Sequence, residues 1–391
     1  MSWTMIDMPG NFAVVIHGEF DCVNCFTHHT GRSAFRYYST RLTEAQLTSG
    51  KTAEPLRRCL TMIAEEQKPE AVIVLGTCPV EVIGDRFQQE VEEISAQTGV
   101  PMVALHTSGL RMSTQREMLD WCFDTLISLG DGASEGDQVG FIGMPPGGQS
   151  SEVTRVLKQA GISISGHFPE GASMGEWQGL GRSSRSFVSD LAIFPKVVER
   201  LRARGQALIE TPLPYGLAAS QRFYTTIDKA LNLDGALLSS LTDESQRAQQ
   251  AINNFRSQHG GKRLALTLRM RNTYRSDVVA QDGLGQLEAY QELGFDITLL
   301  VQGAPDPDVV EAYGVLLRAR GLTLPFEIFP GPFFLQECLE RGAYDLACVA
   351  DHGLKSARSA GIPAFDSVAM SPYIGSVPRN LARLNALLEH R

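Results

Sequence analysis

An α/β chain built on parallel sheets is the fold class that the sequence predicts, on three observations. Short β-branched runs end in Gly or Pro and pass into stretches with apolar residues at helical spacing. The phrase helix–Gly–strand recurs as "LKQAGISI", "YQELGFDI" and "ARSAGIPAF". Two polar, Gly-rich breaks, "SLGDGASEGDQ" (128–138) and "NNFRSQHGGK" (253–262), divide the chain. Strands alternating with helices imply sheets covered on both faces, and 391 residues exceed what one core ordinarily holds. The expectation is three Rossmann-like domains, at 1–135, 136–260 and 261–391, with a C-terminal helix packing back on the last. Ligands of such sheets gather beyond the carboxyl ends of the strands, so the loops that follow strands are where chemistry is sought.

Taken in order, "FAVVIH" is the first strand and leads through the turn "GEFD" into "CVNC". "PLRRCLTMIAEE" is helical, with Leu56, Cys59, Leu60 and Ile63 on one face. "AVIVLG" is a strand ending in "GTCP", and the apolar spacing of Val82, Phe87, Val91 and Ile94 predicts one helix after it. "VGFIGMPPGGQSSEVTRVLKQAGISISG" repeats the theme, and "SDLAIFPK" reads as a later strand. "RLALTLRM" opens the third domain, and "YDLACVADH" is a strand near its end. His106 and His167 also stand at strand ends, with no partner evident in sequence. "GMPPGGQSSE" could receive an anion at a helix N-terminus. It lacks the spacings of the dinucleotide and Walker motifs.

Composition excludes several functions. With 44 acidic against 35 basic residues and a net charge of −9, the chain lacks the basic footprint of a nucleic-acid binder. No apolar stretch nears the roughly 20 residues of a membrane span, and "FAVVIH" is too short, with no basic start, for a signal peptide. The expectation is a soluble cytoplasmic protein with no nucleic-acid partner. Seven cysteines are an odd count, unevenly spaced, and a chain of this size needs no disulfides to fold.

Three thiols follow strands: Cys22 and Cys25 after "FAVVIH", and Cys78 after "AVIVLG". If those strands are neighbours, all three share one rim and can bind a soft metal or an iron–sulfur cluster. A redox dithiol also has the C-x-x-C spacing. A zinc site would need a fourth ligand beyond Cys22, Cys25 and His28 or His29, and the usual second pair is missing. Cys59, Cys122, Cys338 and Cys348 read as small buried hydrophobes.

"GTCPVEVIGDRF", "HGEFDCVNCF" and "STRLTEAQLTSGKT" together resemble the nitrogenase component 1 superfamily. It comprises the subunits of the nitrogenase molybdenum–iron protein, the scaffolds that assemble its cofactor, and the light-independent protochlorophyllide and chlorophyllide reductases. The resemblance extends through "GFIGMPP…LKQAGISISGHFPEG" and "DLACVADHGLKSARSAGIPAFDSVAMSPYIGSVPRNLARL". It implies a nitrogenase-like oxidoreductase subunit in an α2β2-type heterotetramer with a homologous subunit. It implies an iron–sulfur cluster, [4Fe–4S] or P-cluster-like, shared with that partner and fed by an ATP-dependent iron protein. Cys22 falls at the family's first cluster Cys and Cys78 at its third. The second is replaced by Tyr37 and Tyr38, so either Cys25 substitutes or the partner supplies the ligand.

Two further departures bear on the cavity among the domains. The family's catalytic α-subunits hold a large metal cofactor by a Cys at the end of a second-domain strand and by a His before "G-P-Y". Here those places read "SDLAIFPK", with Ile193 and Phe194, and "FDSVAMSPYIG". The cavity is therefore expected to take either an organic substrate such as a tetrapyrrole or a cofactor precursor in transit. His352, Arg269, Arg271 and Arg275 are the candidate cavity residues, the arginines suited to bidentate pairing with carboxylates. A zinc-stabilised α/β binding protein is the remaining alternative.

Overall fold

The structure, a computed structural model, describes residues 12–21, 36–106, 115–128, 138–144, 151–168, 174–189, 191, 194–269, 286–303, 307–319, 321–349, 353–366 and 369–389. Its strands form three all-parallel sheets. The first has the order β2-β1-β3-β4, from β1 (Phe12–His17), β2 (Arg36–Ser39), β3 (Ala71–Gly76) and β4 (Met102–His106). The second has the order β6-β5-β7-β8, from β5 (Val139–Ile142), β6 (Ile164–Phe168), β7 (Arg185–Val188) and β8 (Ala207–Glu210). The third has the order β11-β10-β9-β12-β13, from β9 (Arg263–Arg269), β10 (Asp296–Gln302), β11 (Phe326–Phe329), β12 (Leu346–Val349) and β13 (Ala364–Asp366).

Each sheet reverses its order once, between β1 and β3, β5 and β7, and β9 and β12. At such a reversal the connections leave neighbouring strands in opposite directions and open a crevice beyond their carboxyl ends. Cys78 follows β3, so its segment leaves the first sheet at the reversal, beside β1. Arg269 ends β9, at the reversal of the third.

The central strands of the first sheet are buried on both faces, as parallel strands between helices must be. All six residues of β1 and all six of β3 are buried. One face of the first sheet packs Val15, Val72 and Val74 with Leu56, Cys59, Leu60 and Ile63 of the helix Ala53–Met62 and its continuation. The other face packs Val14, Ile73 and Leu75 in one cluster with Leu126 and Ile127 of the helix Gln115–Ser128 and with Val197 and Leu201 of the helix Pro195–Ala203. Asp120 joins those two helices: its carboxylate accepts from the N–H groups of Lys196 (2.8 Å) and Val197 (3.2 Å). These first-turn donors have no partner within their own helix.

By contact density the chain divides into two compact units, Met1–Glu210 and Thr211–Arg391. The first holds two sheets and the second holds one. In the second unit Glu292 caps the helix Leu217–Leu231 through the N–H groups of Leu217 (2.8 Å) and Ala218 (3.0 Å). The C-terminal helix Val377–Glu389 packs on the helix Thr242–His259.

Two expected elements differ. The helix predicted across Val82–Ile94 is two helices, Cys78–Val82 and Phe87–Thr98. Gly84, at φ +70°, turns the chain between them and leaves Val82 69% exposed. The strand expected at "SDLAIFPK" is instead β7, which ends at Val188. Phe194 and Pro195 already start the next helix, where the fixed φ of proline at a first helical position is favourable.

Gly76 ends β3 because nothing larger fits: a Cβ there would lie 2.4 Å from the Phe87 ring, which is itself fully buried. Gly76→Ala is expected to cost about 1–3 kcal/mol by overpacking. Urea unfolding of the variant against the parent chain checks this.

Candidate functional site

The last rung of the first sheet sets out the site. His17 of β1 and His106 of β4 both pair with Gly76 of β3, which lies between them. The Phe87 ring fills the space over the glycine and meets both imidazoles, with centroids 5.6 Å from His17 and 4.8 Å from His106. Trp121 closes the row at 5.6 Å from His106. Beyond this rung β3 runs into Thr77 and Cys78.

Cys78 opens the short helix Cys78–Val82 and is exposed. Only Val80 and Glu81 of that helix are buried. Thr77 fixes its start, giving both its N–H (3.2 Å) and its hydroxyl (2.9 Å) to the His17 carbonyl. Gly18 allows the approach, since a Cβ there would lie 2.1 Å from Thr77 Oγ1.

Two carboxylates turn back beneath this segment. Asp85 Oδ2 accepts from His17 Nε2 at 3.1 Å, with the imidazole fully buried and the Asp85 side chain 9% exposed. A carboxylate has no proton to give, so Nε2 carries the hydrogen. The other nitrogen, Nδ1, meets Thr40 Oγ1 at 3.1 Å, and that hydroxyl also accepts from the Gly18 N–H. Burial pushes the Asp85 pKa up, but hydrogen bonds from His17 and Thr52, the His17 charge and the Arg86 N–H outweigh it and hold the group below its ordinary value. Glu81 Oε1, with its side chain fully buried, lies 3.5 Å from His106 Nδ1.

Burial separates Cys78 from the other described thiols. Cys59 is 9% exposed, and its pKa is pushed up to about 11 by burial. Cys338 and Cys348 are buried and pushed up to about 12, first by burial, and Cys338 also by the Glu327 carboxylate. A buried thiol that resists ionisation is a poor ligand or nucleophile, so the reading of these three as small hydrophobes stands.

Tyr37 and Tyr38, where a cysteine was sought, are consecutive residues of β2, paired with Val14 and Val15. They point to opposite faces of the sheet and pack on its two cores. Cys22, Cys25, His28, His29, Arg271, Arg275 and His352, like the side chains of Arg269 and Cys122, lie outside the described residues. Among the described residues no three His, Cys, Asp or Glu stand together as a metal set. No helix among them is long and apolar enough to cross a membrane.

The nitrogenase component 1 type oxidoreductase family matches residues 3–376. The chain belongs to that family. It is 23% identical over 273 residues to the light-independent protochlorophyllide reductase subunit N of Prochlorococcus marinus strain MIT 9303, covering 68% of this chain and 64% of that protein. With the subunit N of Stigeoclonium helveticum it shares 22% over 354 residues, 80% of this chain and 75% of that one. Its fold matches nitrogenase Cp1 structures at pH 5 and pH 6.5, with TM-scores of 0.78 and 0.76 at 16% and 15% identity, each covering 97% of this chain. The component 1 fold expected from the motifs is therefore the fold observed.

Missed in the sequence were His17 and Thr40, and the roles of Glu81 and Asp85, which stand in the motif "GTCPVEVIGDRF". The motif carries no sign of a partner for Asp85, because His17 lies 68 residues upstream.

In the folded apo chain Cys78 is expected to be alkylated by iodoacetamide, while Cys59, Cys338 and Cys348 are labelled only after unfolding; peptide mass mapping reads this directly. Asp85→Asn should lower stability at pH 7 by about 1–3 kcal/mol, the range for a buried charged hydrogen bond. Because the folded-state pKa is depressed, this contribution is present above the unfolded-state value of about 3.9 and is lost as pH falls through the folded one. Urea titrations of both proteins should therefore differ most near neutrality and converge in acid.

Proposed function

We propose that the chain is one subunit of a nitrogenase-like component 1 oxidoreductase. In this reading Cys22, Cys25 and Cys78 hold an iron–sulfur cluster at the reversal of the first sheet. The observation that carries it is the exposed Cys78 thiol, directly beyond the rung where β1, which leads to Cys22 and Cys25, lies beside β3. The donor chemistry suits the group, since accessible thiolates are its ligands. Three thiols fall short of the four that a [4Fe–4S] cluster takes, so a homologous partner subunit supplies the rest in a heterotetramer of α2β2 type. Phe20, Val82 and Ile83 support this. They are exposed apolar residues, 51%, 69% and 42% accessible, on the two segments that lead to and from the thiols, and such surface is suited to burial against a partner.

Bound there, the cluster stores and passes single electrons. Its donor is a separate ATP-dependent iron protein. The chain spans 64% of the length of the protochlorophyllide reductase N subunit it matches first. That relative's name supports an unsaturated tetrapyrrole as the substrate. Arg269, Arg271, Arg275 and His352 would meet it beyond the reversal of the third sheet, the arginines pairing with its carboxylates. The three-domain division at 135 and 260 belongs to the same proposal and is supported by one sheet within each span.

A second reading, a non-catalytic scaffold for a metal-cofactor precursor, rests on Phe194 and Met370. Both are buried apolar side chains near the places where catalytic α-subunits of the family carry metal-binding Cys and His.

Anaerobic purification with partner subunits, followed by iron and sulfide analysis and EPR, tests the proposal. The expected result is a brown complex containing iron, whose signal is lost in Cys78→Ala and kept in Cys59→Ala. A colourless complex with stoichiometric zinc would overturn it. Turnover of protochlorophyllide by the complex with an iron protein separates the reductase from the scaffold.

A further inference from the structure

We propose that His17 is the positioning residue for the Cys78 thiol. The inference rests on the reading of Cys78 as a cluster ligand only where it concerns the cluster; for the apo chain it stands on geometry alone.

The helix Cys78–Val82 has little to hold it. It is short, Val82 and Ile83 face outward, and Gly84 turns the chain away immediately after it. Hydrophobic burial alone therefore does not set where its first residue sits. Beside the buried Val80 and the Glu81–His106 contact, two polar anchors act at the ends of the segment, and both are on His17. At the start of the segment, the His17 carbonyl receives the N–H and the hydroxyl of Thr77, the residue before Cys78. At the end, the His17 imidazole donates to Asp85, whose own N–H returns to the Val80 carbonyl at 3.2 Å. One residue thus clamps both ends of the Thr77–Asp85 loop.

His17 is itself held on every side. Its ring is fully buried beside Phe87. Nδ1 is tied to Thr40, the residue after β2. Asp85 also takes a hydrogen bond from Thr52, at the start of the helix Ala53–Met62. Among the described residues, the other groups that hydrogen-bond to the pair are the neutral hydroxyls of Thr40, on the ring, and Thr52, on the carboxylate, and the Arg86 N–H. His17 also ends the strand that continues toward Cys22, so the clamp sets the Cys78 segment against the strand that leads to the other thiols. An error of about 1 Å in ligand placement is costly for any preorganised site, which gives such a clamp its use.

The test is a comparison of His17→Gln, His17→Asn and His17→Ala in the full chain. Gln places an amide nitrogen near the Nε2 position and keeps the bond to Asp85. Asn reaches only toward Thr40, and Ala keeps neither. On the apo proteins the readout is the rate of Cys78 alkylation by iodoacetamide, followed by mass mapping. After iron–sulfur reconstitution it is the set of EPR g-values. Ala and Asn should change the alkylation rate by about threefold or more, because thiol reactivity follows local placement and access, and should shift the g-values. Gln should restore both toward the parent.

The proposal is overturned if Ala and Asn, folded by circular dichroism, alkylate at the parent rate with parent g-values. It is also overturned if Gln is as disturbed as Ala, since the bond to Asp85 would then be irrelevant. Should His17→Ala fail to fold, Asp85→Ala, which removes the bonds from both His17 and Thr52, and Thr52→Val, which removes only the latter, carry the same comparison. A parent chain that takes up no iron defeats the cluster reading but leaves the alkylation comparison standing, so the two failures are distinguishable.

Discussion

The rung at which His17, Gly76 and His106 end their strands side by side is the constraint on which the rest of the site depends. Parallel pairing brings three carboxyl ends to one level. The missing side chain of Gly76 admits the Phe87 ring, and that ring lets two imidazoles flank a glycine without touching each other. Each imidazole then faces a carboxylate supplied by the chain that follows Cys78: Asp85 for His17 and Glu81 for His106. The segment that bears the thiol is thus anchored to the sheet by polar contacts, in a place where apolar burial has ended.

That arrangement separates two kinds of cysteine. Cys59, Cys338 and Cys348 lie inside the cores, where burial disfavours the thiolate. Cys78 lies just outside the core, at the start of a short helix, and is exposed. A scaffold whose functional residues stand on loops at a sheet's edge can change what it binds while the sheet stays the same. This agrees with a family whose relatives here include a protochlorophyllide reductase subunit and whose fold is also that of a nitrogenase. Cys78 follows β3 at the reversal of the first sheet.

Much of this architecture was legible because parallel strands are short, apolar and punctuated. "FAVVIH", "AVIVLG" and "RLALTLR" are strands as read, and the apolar face of Leu56, Cys59, Leu60 and Ile63 is buried as its spacing requires. The helix across Val82–Ile94 was misread because an apolar residue at helical spacing looks the same whether it is buried or, like Val82, exposed beyond a glycine turn. "SDLAIF" was misread because Phe194 is buried at a helix start, and burial alone does not distinguish that from a strand. The His–carboxylate contacts beneath Cys78 gave no signal, since each joins residues far apart in the chain or ordinary in local context.

Periodicity and the Cys motifs were enough to establish an α/β chain with parallel sheets, its family, and the thiols to suspect, because these are local patterns that each element carries in itself. The order of the strands, and with it the meeting of His17 with Asp85, Thr40 and Thr77 under Cys78, was decided only in the folded chain. Sheet order follows from which apolar faces can be covered together, and a buried polar pair forms only where those faces bring its partners within hydrogen-bond reach.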